Sequence, residues 1–352
     1  MKHYIIPIFI PHLGCLHQCV FCDQQKITGL STPVTALQVA TIIGDRLAGI
    51  DQARHVEVAF YGGSFTALAE DDQNELLAPA TQALQSGLIQ GIRLSTRPDC
   101  LSKSTINNLI KQQVTTVEVG VQSLDDTVLA RAGRGHDSEA VVGSVARLKA
   151  AGLQCGLQLM PGLPGEDWTS LIRTVRRAID LAPEFVRIYP TVVIAGTTLA
   201  RLYRQGIYAP LSLDQGVSRA AYMKLMFGRQ GIAVIRTGLQ AADELDQHQT
   251  VLAGPYHPAF GELVDSYIFY LMLASFIEQS SLGPQARLII HHHPQDCSKV
   301  RGQHNRNIND IKQRYRLRDV TLYSDRFVSK SSLLFELGGQ NYITNKNMIN
   351  IV

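Results

Sequence analysis

The chain has 352 residues, is 45% hydrophobic and 18% charged, and carries a formal net charge of +3. That composition supplies enough apolar material for one large domain plus a small one, and it excludes a disordered or low-complexity chain. Of six cysteines, those at 15, 19 and 22 are clustered and those at 100, 155 and 297 are scattered, which does not resemble an extracellular disulfide framework.

The apolar stretch from Tyr4 to Ile10 contains Pro7 and runs straight into the cysteines with no small-residue cleavage site. It reads as a buried strand rather than a signal peptide. The longest apolar run, Tyr267–Ile277, is far too short to span a bilayer, so no membrane association and a cytoplasmic, reducing location are expected. Further strands are predicted at Val56–Tyr61, Ile92–Ser95, Thr116–Val121, Gln154–Met160 and Phe185–Tyr189, the first being Ile5–Ile10. Helical patterns lie between them at Thr35–Leu47, Asp71–Leu84, Lys103–Lys111, Ser138–Ala150 and Trp168–Leu181. Short apolar runs separated by amphipathic helices predict a parallel sheet with crossover helices. Six βα units fit a full or partial barrel; an open doubly wound sheet satisfies the same periodicity.

The strand ends carry the unusual residues: Gly62-Gly63-Ser64, Thr96-Arg97-Pro98-Asp99, Gln122-Ser123, Pro161–Glu166 and Pro190-Thr191. Parallel α/β architectures bind ligands at the carboxyl ends of strands. Five such ends in succession predict a shared binding face.

Beyond Gln240 the alternation weakens. The predicted division is residues 1–240 as the core, 241–284 as a helical extension packed on it with a mostly buried helix over Glu262–Glu278, and 285–352 as a basic C-terminal module. From Arg287 to Lys330 ten basic residues face four acidic ones, a net +6, so the rest of the chain carries −3. A basic module on a mildly acidic body points to a polyanionic partner. Gly338–Val352 reads as a loosely held tail.

Cys15, Cys19 and Cys22 have the spacing C-x3-C-x2-C directly after the first strand. Thiolates hold 4Fe-4S clusters, ordinarily four of them. Three leave one iron open for a cosubstrate, and S-adenosylmethionine (SAM) would fill it with its amino and carboxylate groups. Phe21 would offer an aromatic edge to adenine. The competing reading is a structural zinc site with His12 or His17 as fourth ligand. Position argues against it, because the triplet opens the first loop of a large α/β domain. Cys100 and Cys155 fall at opposite ends of a parallel sheet, so no second cluster is predicted.

The cysteine motif, Phe60–Phe65, Ser95–Asp99, Glu118–Ser123, Arg134-Gly135-His136, Met160–Gly165 and Ile188–Thr191 together resemble the radical SAM superfamily. As a set they look most like the radical-SAM part of the Elongator catalytic subunit and its stand-alone bacterial relatives, over roughly residues 4–240. The resemblance implies an α/β fold, a partial (β/α)6 radical-SAM barrel, and reductive cleavage of SAM to a 5′-deoxyadenosyl radical. It implies Cys15, Cys19 and Cys22 as cluster ligands, and Phe21, Tyr61, Gly62, Gly63, Ser64, Thr96, Arg97, Gln122, Ser123, Arg134 and Met160 around SAM. Arg134 is the implied partner of the SAM carboxylate. Arg97 could instead cap a helix end through Asp99, and Gln122 could be a satisfied buried amide. RNA, tRNA in particular, is the implied substrate, with a small molecule as the alternative and a low-potential electron donor such as flavodoxin or ferredoxin implied. If the cluster were not iron–sulfur, a non-catalytic zinc-stabilised RNA-binding protein would remain. The Elongator subunit's cysteine spacing is longer and its acetyltransferase domain has no counterpart here, so no acetyl-CoA chemistry is expected.

The C-terminal module, read as strand, Gly loop, helix, strand and strand, resembles a small α+β, KH-type RNA-binding fold. Its loop Gly302-Gln303-His304-Asn305 lacks the second glycine of the family's GXXG clamp; Lys299, Arg301 and Arg306 surround it. A packing module with a solvated basic face fits equally. Consecutive histidines at 291, 292 and 293 cannot all face one ion, since strand side chains alternate, and a solvent-facing strand end is expected. His257, between Tyr256 and Pro258, is a candidate acid or base at the barrel mouth.

Overall fold

A computed structural model describes residues 3–10, 15, 19–23, 34–50, 55–239, 250–280 and 282–349. His12 and His17 lie outside the described residues. The chain divides into two compact units: Met1–Leu211 with Ile232–Tyr256, and Ser212–Gly231 with His257–Val352.

The first unit is built on β1 (His3–Phe9), β2 (His55–Tyr61), β3 (Gly91–Thr96), β4 (Thr116–Gln122), β5 (Gln154–Leu159), β6 (Phe185–Ile188) and β8 (Ala233–Thr237), with a separate antiparallel pair of short strands, β7 (Val193–Ile194) and β9 (Val251–Ala253). The seven longer strands pair in parallel in chain order, β1-β2-β3-β4-β5-β6-β8. The terminal strands β1 and β8 do not pair with each other among the described residues, so the sheet is a partial barrel rather than a closed one. The connecting helices are α1 (Ala36–Ala48), α2 (Glu70–Gln85), α3 (Lys103–Lys111), α4 (Asp126–Arg131), α5 (Ser138–Ala150), α6 (Trp168–Asp180) and α7 (Thr198–Arg204). Their starts are chemically marked. Thr35 with Gln38 and Asp167 with Ser170 form capping boxes, and Ser102, Asp125, Asp137 and Thr197 each cap a backbone N–H. The six predicted strands are all present. The seventh was not predicted because Ala233–Thr237 is short, carries Arg236 and is only half-buried at an edge.

The second unit contains α8 (Leu213–Arg229) and α9 (Phe260–Gln279), then β10 (Arg287–His292), α10 (Cys297–Arg301), α11 (Arg306–Arg314), β11 (Asp319–Ser324), β12 (Ser332–Leu337) and β13 (Gln340–Asn345). Its sheet runs β11-β10-β12-β13, with β10 parallel to β11 and antiparallel to β12. Three expectations are corrected here. The boundaries at 240 and 284 give way to a unit that gathers α8 and α9 with the C-terminal strands, because these helices bury Val217, Phe227, Val264 and Met272. The tail from Gly338 is not loose: Gly338 and Gly339 both have positive φ and turn the chain into β13, which pairs with β12 along its whole length. The histidine run is not a solvent-facing end. His291 pairs with Glu336 at 2.6 Å and stacks on Tyr323, while His292 is buried. Among the described residues one helix, α9, is long and apolar enough to cross a membrane, and half of it is buried within the protein.

Candidate functional site

The carboxyl ends of the strands assemble the site. Ile10 N–H donates to the Tyr61 carbonyl at 2.8 Å, so the chain leaves β1 alongside β2 and passes into the cysteine segment. Cys15 is exposed, and its Sγ lies 3.7 Å from Ser64 Oγ, in the loop after β2. Cys19 is buried and its Sγ accepts from Arg134 Nη1 at 3.0 Å. The same guanidinium donates to the Gly120 carbonyl on β4 and, through Nε, to His136 Nε2 at 3.3 Å. A cationic donor on sulfur suits a ligand that carries negative charge. Cys22 N–H donates to the Cys19 carbonyl at 3.1 Å, closing a turn.

Two flanking bonds fix that turn, Val20 N–H to the Ala132 carbonyl at 3.1 Å and Leu199 N–H to the Val20 carbonyl at 2.7 Å. The neighbouring Phe21 packs against two buried clusters, one of Val193, Leu199, Ala200 and Tyr208 and one of Val128, Ala132 and Leu163, and Met160 packs against the second as well. The other thiols differ in kind. Burial and nearby carboxylates push Cys155 up to about 12 and Cys100 up to about 11, so both stay protonated and inert at neutral pH.

The predicted ligand-facing residues separate into two groups. Thr96 and Ser123 are spent inside the fold: Thr96 Oγ1 bonds Thr66 Oγ1 at 2.6 Å, and Ser123 Oγ bonds Thr174 Oγ1 at 3.1 Å with no exposed surface. Arg97 and Gln122 keep valence in reserve. Arg97 clasps Asp99 at 2.9 and 3.0 Å, as the capping alternative expects, and also donates to the Arg134 carbonyl, yet its Nη1 has no hydrogen-bond partner among the described residues. Gln122 is not a fully satisfied amide, since its Oε1 is buried without a hydrogen-bond partner among the described residues. Its φ of 66° is costly for a residue with a side chain. Gly120 leaves room for the Gln122 amide and the Arg134 guanidinium, because a Cβ there would lie 3.2 Å from Gln122 Nε2 and 3.4 Å from Arg134 Nη2. Thr191 Oγ1, just after β6, is likewise buried without a hydrogen-bond partner among the described residues. Buried polar groups are ordinarily paired. A guanidinium N–H, an amide oxygen and a hydroxyl left over on one sheet edge, beside three clustered cysteines, fit a cluster with an amino-acid cosubstrate. Gly62, with φ of 99°, and Gly63 give the backbone of this edge its close turn.

A feature that the sequence reading missed lies inside the sheet. Arg93 donates to Glu57 Oε2 at 2.6 and 2.8 Å and to Glu118 Oε1 at 3.0 Å. Arg187 reaches Glu118 at 2.7 and 3.0 Å, and both it and Glu118 hold the Tyr61 hydroxyl, at 2.8 and 3.0 Å. Gln158 Nε2 completes Glu118 at 3.1 Å. Burial drives the Tyr61 phenol far above its usual range, with Glu118 adding to the effect, so it stays a neutral donor. The signal was legible: Glu57, Arg93, Glu118 and Arg187 are lone charges in otherwise apolar strands, and those on β2 to β4 are buried. Opposite charges on neighbouring strands satisfy one another. His257 lies in the second unit, where its Nδ1 accepts from Ala259 N–H at 3.0 Å just before α9.

Comparison with known proteins gives two family profiles, the radical SAM superfamily over residues 9–178 and the radical SAM C-terminal domain over residues 183–269. Curated relatives include tRNA uridine(34) acetyltransferases of Dehalococcoides mccartyi, 37% identical over 58% of this chain and 52% of the relative, and of Methanocaldococcus jannaschii, 34% identical over 37% of this chain and 25% of the relative. The heme chaperone HemW of Lactococcus lactis is 24% identical over 62% of this chain and 57% of its own. The chain thus spans between a quarter and three-fifths of the length of these relatives. Among solved structures, the archaeal Methanocaldococcus infernus Elp3 lacking its N-terminus superposes with a TM-score of 0.61 at 22% identity, covering 76% of this chain and 62% of that one, which bears on the fold alone.

Proposed function

The chain belongs to the radical SAM superfamily, and we propose that it reductively cleaves SAM at a 4Fe-4S cluster held by Cys15, Cys19 and Cys22 to modify RNA, tRNA in particular. When bound, cluster and SAM together supply a 5′-deoxyadenosyl radical, a reaction the protein positions and shields rather than performs. Arg134 orients the loop by tying Cys19 to β4. Arg134, expected at the SAM carboxylate, is engaged with Cys19, Gly120 and His136, so the open Nη1 of Arg97 is proposed for the carboxylate and Gln122 Oε1 for an ammonium or hydroxyl donor. Phe21 and Met160 offer apolar surface for the adenine. His257 is the proposed acid or base toward substrate; full turnover in His257→Ala would eliminate it. A low-potential donor such as flavodoxin or ferredoxin would supply the electron.

The RNA reading is carried by the second unit's surface. Phe327 is 98% exposed between Arg326 and Lys330, and Tyr323 nearby on β11 is half-exposed. Aromatic faces set among cations suit unstacked bases and phosphates. Around the Gly302 loop, Lys299 pairs with Asp265 at 3.4 Å and Arg306 with Asp214 at 3.0 Å. Such surface pairs are worth less than about 1 kcal/mol and yield to phosphate. The likeness to a heme chaperone favours a second reading with a porphyrin as ligand. Unmodified tRNA titrated at rising salt separates them. Affinity falling steeply with salt, and weakened about tenfold by Phe327→Ala with Arg326→Ala, supports RNA; no tRNA binding at low salt together with heme binding supports the second reading.

A further inference from the structure

The amino ends of β1 and β2, at the edge of the sheet away from the cysteines, carry a second cluster of ligating side chains. His3 and His55 are cross-strand partners in the parallel register, and Glu57 lies two residues further along β2 on the same face. His3 Nε2 is 3.3 Å from Glu57 Oε2 and His55 Nε2 is 3.4 Å from Oε1, so each carboxylate oxygen meets one imidazole. The ligating atoms all lie within 4.8 Å of one another, and the rings stand 5.1 Å apart, tilted by 52°. It is the one such His/Cys/Asp/Glu group among the described residues. Both histidine side chains are 42% exposed while Glu57 is 8% exposed, so a buried anion stands behind an open mouth.

We propose that His3, His55 and Glu57 form a binding site for a divalent first-row transition ion, zinc foremost, distinct from the cysteine site. Two imidazoles and a carboxylate suit zinc, nickel, copper and cobalt, and a mouth open to solvent leaves room for water as a further ligand. Burial alone would raise the Glu57 pKa, but Arg93 and its hydrogen bonds hold it below the ordinary 4.5, so the carboxylate is anionic at neutral pH. Arg93 also fixes its orientation from behind, the usual task of a group that touches a ligand and not the metal. The ion would clasp the edge strand β1 to β2, and β1 is the strand that leads into the cysteine loop.

The probe is Co2+, titrated into the tag-free full-length chain carrying Cys15→Ser, Cys19→Ser and Cys22→Ser, which removes the clustered thiols. The expected result is about one equivalent bound, with weak visible bands and no near-ultraviolet sulfur-to-cobalt absorption. Adding His55→Ala, or separately His3→Ala, is expected to lower the affinity more than about tenfold at unchanged circular dichroism, with His55→Asn as the milder variant. In the cluster-loaded wild type, Zn2+ is expected to raise the melting temperature, and in His55→Ala it is not. Absence of Co2+ binding, or binding that survives both histidine substitutions, overturns the site. Neither outcome touches the proposal for SAM, which rests on other residues.

Discussion

Arg134 is the residue on which the cysteine loop turns. Its guanidinium joins Cys19 Sγ on the loop to the Gly120 carbonyl on β4 and leaves Nε for His136. Arg134→Met is therefore expected to lower iron retained after reconstitution by about 10-fold or more, the scale on which partners of metal ligands act; iron and sulfide analysis of the purified variant checks it. His136 supplies a pH test. Burial and the Arg134 charge lower it from 6.5 to about 4. The unfolded chain takes up that proton near 6.5 and the folded chain resists it until about 4, so stability falls as pH drops between those values and is unaffected above them. After allowance for partial exposure the loss is about 1–2 kcal/mol. Urea midpoints at pH 7 and pH 5 should separate more in wild type than in His136→Gln. Among single residues the sequence made the cysteines legible through spacing, and Arg97, Gln122 and Arg134 through resemblance. It could not show that Thr96 and Ser123 spend their hydroxyls on Thr66 and Thr174, because those partners come from distant segments.

Among the elements, strands and their crossovers were readable because the two periods, 2.0 and 3.6, alternate cleanly as far as β6. The failures have physical causes. The edge strand β8 is short and half-exposed, and β13 is mostly polar and exposed and exists through pairing with β12. The charged ladder across β2 to β6 escaped because burial and cross-strand neighbours are not visible in one strand at a time. It yields two predictions. Glu118→Ala should destabilise by about 3–5 kcal/mol, since it leaves the buried Arg187 without its carboxylate and takes one of the two carboxylates from Arg93, whereas Arg306→Ala on the surface should cost less than about 1 kcal/mol. Chemical denaturation of both variants is the measurement. Gly156→Ala on β5 should cost at least about 1–3 kcal/mol, because its Cβ would stand 2.1 Å from the Phe185 ring.

For the molecule as a whole, the division into units changes what can be cut. Because α8 and α9 fold with β10 to β13, removing residues 285–352 would strip Phe276 on α9 of the Phe335 and Tyr342 rings it packs on rather than delete a free module. Surface substitutions such as Phe327→Ala are the sound route to the RNA question. The radical SAM assignment itself stands on the family profiles over residues 9–178 and 183–269. Anaerobic reconstitution with iron and sulfide, followed by SAM and a strong reductant, tests its chemistry most directly. The expected result is 5′-deoxyadenosine from the wild type and none from Cys19→Ala. A wild-type protein that took up zinc, retained no iron and left SAM intact would contradict the account.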